Sequence, residues 1–471
     1  MLTIDDIKTR IKNGESVRSV VEDTLAKAEA AQEYNATISL IRDRALQRAD
    51  EIDAKLKAGE DAGRLAGVPF IAKDIFLTFG GKTTAASNIL RNFEAPYQST
   101  AVERLEAEGA IVIGKANLDA FAHGASTENS DFGVVKNPHD PSRVAGGSSG
   151  GSAVVVALDV VPFSLGTDTG GSTRQPASFC GIVGVKPTYG AISRYGVMAM
   201  ASSTDTIGTF ANTVEDAALV FDVMAGKDQL DGTTLPERAE SYLPANNPLK
   251  KLKVGVVKEY MGDAVQPAVR DAVRAQAEKL RSLGHDVEEV SVPTLDLSLA
   301  VYYIVVPAEV SSNLSRYDGI KYGESAKEAK DLQDLYGLTR EILNAENKRR
   351  ILIGTYVLSS GYIDAYYHKA QTVRTKLINE FNEAFGKYDV LVGPVAPTTA
   401  FKIGENANDP LQMYMADILS VAANLAGIPG ISVPVGKDES GLPIGMQLLG
   451  AQRSDALLFA LGKQLEEANS G

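Results

Sequence analysis

Residues 145–178 read AGGSSGGSAVVVALDVVPFSLGTDTGGSTRQPAS: two glycine–serine clusters, 146–152 and 170–172, separated by an apolar, β-branched stretch. No other feature constrains the fold as tightly. Bare backbone set directly against strongly apolar flanks belongs where chain segments approach each other closely inside a core. A flexible linker would have polar neighbours instead. The stretch from Ala153 to Leu165 is shorter than the roughly 18–20 residues of a membrane span, and it contains Asp159 and Pro162. SAVVVALDV therefore reads as a helix packed closely on a sheet, and VVPFSLGTD as a strand that runs into the second cluster.

The same texture recurs on both sides. PFIAKDIF and AIVIGKAN read as buried strands, with a helix from Thr100 to Glu108 between them. Before them, residues 1–60 are expected to be helical, opened by a Thr3–Asp6 capping box. After a polar connection over 235–252 comes a β-α-β pattern: KLKVGVVKE, a helix from Gln266 to Leu283, then HDVEEVSV. It lacks the glycine fingerprint of dinucleotide binding and reads as scaffold. Residues 307–385 look mostly helical, YDVLVGPVAP returns to strand, GIPGISVPVG and LPIGMQLLG form a β pair, and a helix from Asp455 to Ala468 closes the chain. Alternation of this kind predicts an α/β fold, a large, mostly parallel sheet covered by helices on both faces. The 471 residues are expected to form one large unit, with 61–235 as its central core.

The net charge of −13 disfavours non-specific nucleic-acid binding by this chain alone. An RNA partner would need another subunit to hold its phosphates. Cys180, the single cysteine, excludes an internal disulfide and reads as a small buried hydrophobe. With no signal-like apolar run after Met1, a cytoplasmic protein with no membrane partner is expected.

Neither cluster has the lysine before Ser or Thr that a phosphate loop requires. TDTGGS does offer consecutive backbone N–H groups, a nest able to hold a developing oxyanion, with Ser172 at its edge. A serine nucleophile needs a base. The four histidines, His123, His139, His285 and His368, lie in unlike contexts and read as structural or surface imidazoles. No zinc motif occurs. Lys73 is the remaining candidate, since burial in PFIAKDIF would lower its pKa toward neutrality.

Taken together, PFIAKD, GGSSGGS and DTGGSTRQPA place Lys73, Ser148 and Ser172 at steps of 75 and then 24 residues (73 to 148 to 172). In these motifs the chain resembles the amidase signature family, whose sites use a Ser-cisSer-Lys triad. The resemblance implies a mixed central sheet, Ser172 as acyl-forming nucleophile, and Ser148, after a cis Gly147–Ser148 peptide, as bridge. Lys73 would be the base, and the backbone of Thr169, Gly170 and Gly171 the oxyanion hole. Ser149 and Ser152 read as structural hydroxyls of the turn. SSNLSRYDGIKYG, KRRILIGTYVLSSGYIDAYYHKAQ and MYMADILSVAANLAGIPGISVPVG are similar to the branch that hydrolyses glutamine for tRNA-dependent amidotransferases. That branch implies that Arg350 clamps the α-carboxylate of glutamine, Asp417 binds its α-ammonium, and Tyr302 or Tyr303 lines the pocket, while Arg349 reads as a solvated helix charge. It also implies no cofactor in this chain. Two companion subunits would complete a heterotrimer, one of them using ATP and magnesium to amidate aminoacyl-tRNA. A stand-alone amidase for another small amide is the alternative. Two departures stand out: Ile75 where relatives carry Asn, and Thr206 and Thr209 where they carry Gln and Pro.

Overall fold

The computed structural model describes residues 1–239, 241–244, 249–407 and 409–470. Residues 240 and 245–248 of the expected connection lie outside the described residues. The capping box is present: Thr3 Oγ1 accepts from Asp6 N and the Asp6 carboxylate accepts from Thr3 N, opening the Ile4–Lys12 helix.

Among the described residues, eleven strands form one sheet. They are β1 (Thr37–Leu40), β2 (Pro69–Lys73), β3 (Ile111–Ala116), β4 (Phe163–Asp168), β5 (Val183–Lys186), β6 (Thr206–Ala211), β7 (Lys253–Val257), β8 (Asp286–Val290), β9 (Val390–Pro394), β10 (Gly430–Lys437) and β11 (Pro443–Gly450). Their order is β1-β3-β2-β4-β6-β5-β10-β11-β9-β7-β8. The class is α/β and the sheet mixed, but more evenly mixed than strand–helix alternation suggested. Parallel pairs occur in two blocks, β3-β2-β4 and β9-β7-β8. The strands between those blocks pair antiparallel, as does β1 on β3. Three strands were not anticipated. β1 lies inside the segment read as helical, and β5 and β6 are short runs with little alternation, whose pairing only the tertiary fold supplies.

Both faces are covered, and strand alternation shows how. Ile71, Ile111 and Ile113 enter one apolar cluster with the helices Val17–Ala30, Arg42–Lys57 and Gly150–Ala157. Phe70, Ala72, Val112 and Leu165 enter the other, with the Val214–Met224 helix. Between β2 and β3 the parity changes once. Phe70 pairs with Val112 but Ile71 with Gly114, so Ile113 is an extra residue and β3 beyond it is flipped relative to a regular strand.

One continuous helical stretch, Pro293–Arg316, has the length and composition to cross a membrane, which the sequence pattern did not lead us to expect. More than half of its most apolar window is buried within the fold, as in the core helix of a globular protein. It bears Tyr302 and Tyr303, so its burial is part of how the site is built.

Candidate active site

β2 ends at Lys73, a fully buried lysine beside β4. Its ammonium nitrogen meets three hydroxyls, Ser148 Oγ at 2.8 Å, Ser149 Oγ at 2.8 Å and Thr167 Oγ1 at 2.9 Å. No carboxylate forms an ion pair with it among the described residues. Burial lowers its pKa to about 7, opposed by the more distant charges of Asp119, Asp168 and Asp205. A neutral amine has two N–H groups and one lone pair, which suits three hydroxyl partners. Ser149 already donates its proton to Thr167 O (3.2 Å), so it accepts from Lys73. The lone pair is left for a proton from Ser148 or Thr167.

Ser148 follows a cis peptide from Gly147. Asp119 brackets this peptide: its N–H donates to Ser148 O (3.2 Å), and a Cβ on Gly147 would lie 2.2 Å from Asp119 Oδ2. Only glycine fits there. The Asp119 carboxylate accepts from Thr127 N and Asn129 N, and burial raises its pKa to about 6.

Ser172 sits where β4 passes into the Arg174–Cys180 helix and is 9% exposed, whereas Ser148 is wholly buried. A ligand can reach the first directly but not the second. The loop is held from below by Asp168, whose carboxylate accepts from Gly171 N (2.8 Å), Thr173 N, Arg174 and Asn424 Nδ2. Burial pushes this carboxyl up, but Arg174 and the other donors outweigh it and its pKa falls to about 2. The Gly171 amide is therefore committed to Asp168. Among the described residues, the Thr169, Gly170 and Ser172 amides carry no such bond. One of the expected oxyanion donors is thus already engaged, because the Asp168 side chain folds back under the turn. Gly171 itself adopts φ +131°, and a Cβ there would meet Ser420 Oγ at 2.1 Å.

Two cavities involve the expected site residues. One, of about 160 Å³, is lined by Gly124, Tyr303, Glu346, Arg350 and Tyr414. Arg350 is buried, donates from Nε to Glu346 Oε1 (2.7 Å), and lies over the rings of Tyr303 and Tyr414 at 5.3 and 5.6 Å. Its two Nη groups make no hydrogen bond among the described residues, so the fork that suits a carboxylate is open. Asp417 lies beside the serine loop, its Oδ1 3.8 Å from where a Cβ of Gly171 would be, and burial raises its pKa to about 8. Tyr302 and Tyr303 face different surroundings. The Tyr302 hydroxyl lies over Gly170 (2.5 Å from a Cβ built there), while Tyr303 lines the Arg350 cavity. The second cavity, of about 210 Å³, is lined by Thr167, Thr169, Asp205, Met198 and Met200.

The family model "Amidase" matches residues 19–459. The chain belongs to the amidase family. The A-type subunit of glutamyl-tRNA(Gln) amidotransferase from Koribacter versatilis is 49% identical over 99% of this amidase and 98% of the relative. Its counterpart from Gloeobacter violaceus is 50% identical over 99% and 96%. Among solved structures, the A-type glutamyl-tRNA(Gln) amidotransferase subunit of Thermotoga maritima superposes with a TM-score of 0.81 at 38% identity, covering 99% of this amidase and 94% of that chain. A bacterial aryl acylamidase superposes with a TM-score of 0.86 at 26% identity, covering 100% and 96%.

Several residues of this amidase's site were not anticipated. Thr167 completes the lysine's cage, Asp205 accepts from Thr169 Oγ1 (2.7 Å), and Glu346 anchors both Arg350 and Tyr414 Oη (3.1 Å). Arg349, expected to be solvated, is also tied to Glu346. Thr167 and Asp168 open the quoted TDTGGS stretch, which was a usable signal, and Glu346 lies one turn before Arg350; Asp205 depends on distant elements meeting. Ser149, read as a turn hydroxyl, bonds the backbone of Thr167 and also touches Lys73. Ile75 and Thr206 both line the larger cavity, and Thr206 Oγ1 donates to Asp168 O (2.8 Å). Cys180 is buried as expected. No hydrogen bond joins a histidine to Ser172 or Ser148 among the described residues. His139 meets Cys180 O, His285 meets Gln464 and His368 meets Asp364.

Proposed function

We propose that this chain is the glutamine-hydrolysing subunit of a tRNA-dependent amidotransferase. One arrangement carries the reading. Beside the serine loop stand a buried carboxyl, Asp417, and, beyond Tyr302 and Tyr303, a buried arginine with an open fork, the two opposite charges that an α-amino acid amide requires. The near-full-length likeness to A-type amidotransferase subunits supports it.

In this reading Ser172 Oγ attacks the side-chain amide carbon of glutamine. Its proton passes through Ser148 to Lys73, which is uncharged in part at neutral pH because burial has brought its pKa to about 7. The Thr169, Gly170 and Ser172 amides hold the oxyanion. The C–N bond breaks as a proton returns to nitrogen, and ammonia leaves a γ-glutamyl ester on Ser172. Water then cleaves the ester, returning Ser172 and releasing glutamate. Arg350 takes the α-carboxylate and Asp417 the α-ammonium, which draws the raised Asp417 back to its charged form. The chain works as a single large unit in the cytoplasm, within a heterotrimer. A companion protein there uses ATP and magnesium to convert Glu-tRNA(Gln), and by the same chemistry Asp-tRNA(Asn), with the released ammonia.

The test is ammonia release by the purified chain, alone and with its companion subunits, from glutamine and from simple aliphatic and aryl amides. Glutamine is expected to be the preferred substrate, and Ser172→Ala to abolish turnover. Far faster turnover of amides that lack the α-groups sinks this reading in favour of a stand-alone amidase.

A further inference from the structure

The open fork of Arg350 must be held at a defined distance from Ser172, yet its own bonds do not fix that distance. Nε reaches only Glu346 on the same helix, and the rings beside it are Tyr303 and Tyr414. The position of the fork is therefore set by how the Ala345–Val357 helix docks. One end is fixed by close packing, since a Cβ on Gly354 would lie 1.9 Å from Pro307 O. The other end meets the segment that follows β3, through Asn344, Asn347 and His123.

Asn347 lies one turn before Arg350 and is fully buried. Its Nδ2 donates to Ala120 O (2.9 Å) and meets His123 Nδ1. Because Nδ2 already donates to a carbonyl, it is the amide nitrogen that faces the ring, and His123 Nδ1 must accept. That fixes the imidazole as the neutral tautomer with its proton on Nε2. Burial and then the neighbouring Arg350 charge both lower its pKa, in agreement. Nε2 has no partner among the described residues, so the ring's only polar tie is to Asn347. From His123 the connection continues to the triad. Asn129 Nδ2 donates to His123 O (3.2 Å), Asn344 Nδ2 donates to Asn129 O (2.7 Å), and Asn129 N donates to Asp119 Oδ1 (3.0 Å). Asp119 N in turn holds Ser148 O.

We propose that His123 is a positioning residue for substrate recognition: as a neutral acceptor for Asn347 it locks the arginine-bearing helix to the loop that braces Ser148. It thereby sets the separation between the carboxylate clamp and the reacting serine. The inference rests on the reading of Arg350 as that clamp. A shift of about 1 Å in such a clamp can cost on the order of a hundredfold in a reaction that depends on it. An amide without an α-carboxylate does not use the clamp and is indifferent to the shift.

The experiment compares His123→Leu, His123→Asn, Asn347→Ala and Arg350→Ala, each in the assembled enzyme, on glutamine and on butyramide. His123→Leu is expected to raise KM for glutamine by roughly tenfold or more with kcat within about threefold, and to leave butyramide hydrolysis unchanged. His123→Asn presents Oδ1 where Nδ1 stood and restores KM. The double variant His123→Leu/Asn347→Ala is no worse than Asn347→Ala alone, because the ring's tie runs through that side chain. If His123→Leu does not fold, Asn347→Ala reads that link from the other side. Unchanged KM in both, or equal losses on glutamine and butyramide, overturns the proposal. Unchanged KM in Arg350→Ala identifies a different failure, that of the clamp itself.

Discussion

Lys73 and Lys115 occupy the ends of adjacent strands, in nearly the same sequence setting, and do different things. PFIAKD and IVIGKA each bury a lysine completely in an apolar strand. Burial lowers both amines. Lys115, however, stands 3.4 Å from Asp74 and also donates to Phe76 O, Thr78 Oγ1 and Thr83 Oγ1. Its charge is matched and held. Lys73 meets only hydroxyls, so nothing adjacent holds the proton on. A third buried lysine, Lys186, also falls to about 7, through burial and then Arg174, but it donates to the carbonyls of Pro187 and Ile428. Carbonyls have no proton to give, so its low pKa leads to no proton relay. A perturbed lysine becomes a base only where its neighbours can pass a proton.

Substitution at the two strand ends gives the largest expected contrast. Lys73→Met should lower kcat by about 10²–10⁴-fold, as the loss of a general base does, with little change in unfolding. Lys115→Met should leave kcat within about threefold but cost about 3–5 kcal/mol of stability, because Asp74 stays buried without its partner. Steady-state kinetics paired with urea unfolding separates the two, and a Lys115 variant that is stable but inactive would break the comparison.

The next effect is on pH dependence. Lys73 must be neutral to accept a proton, so kcat/KM should fall about tenfold per unit as pH drops below about 7. Asp417 is uncharged in the empty site below about 8, so glutamine should continue to gain up to that pH whereas butyramide levels off near 7. Asp417→Asn should remove the upper part of the glutamine curve. A glutamine profile flat from about pH 5 to 7 contradicts the assignment of Lys73.

The smallest expected effect is a partial recovery. Adding Asp74→Leu to Lys115→Met removes both charges of the buried pair and should restore about 1–2 kcal/mol of the lost stability. Thr84 N, which donates to Asp74 (2.9 Å), loses its acceptor and limits the gain. No recovery in urea unfolding indicates that the cost lies in packing rather than in the orphaned charge.

The α/β class was legible because apolar β-branched runs alternate with amphipathic segments over most of the chain. The serine cluster was legible because its glycines have no other use against such flanks. The pocket was less so: Arg350 and Asp417 are single charges on distant segments, and only the resemblance marked them out. Asp205 and Asn347 gave no local signal at all, since each matters through a partner far along the chain, and Glu346, one turn before Arg350, looked like an ordinary helix ion pair.

By itself the sequence determined which segments are buried and which residue types carry the chemistry, because burial follows from side-chain polarity and its period. It did not determine that Lys73 and Lys115 turn to opposite faces of the sheet. That was decided by one extra residue in β3. Ile113 shifts the register so that Lys115 shares a face with Ala72, while Lys73 pairs with Ala116 on the other face. Successive side chains in a strand alternate between faces, so a single insertion exchanges every later neighbour. Lys115 is thereby turned toward Phe76 and Thr83, and Lys73 is left with Ser148.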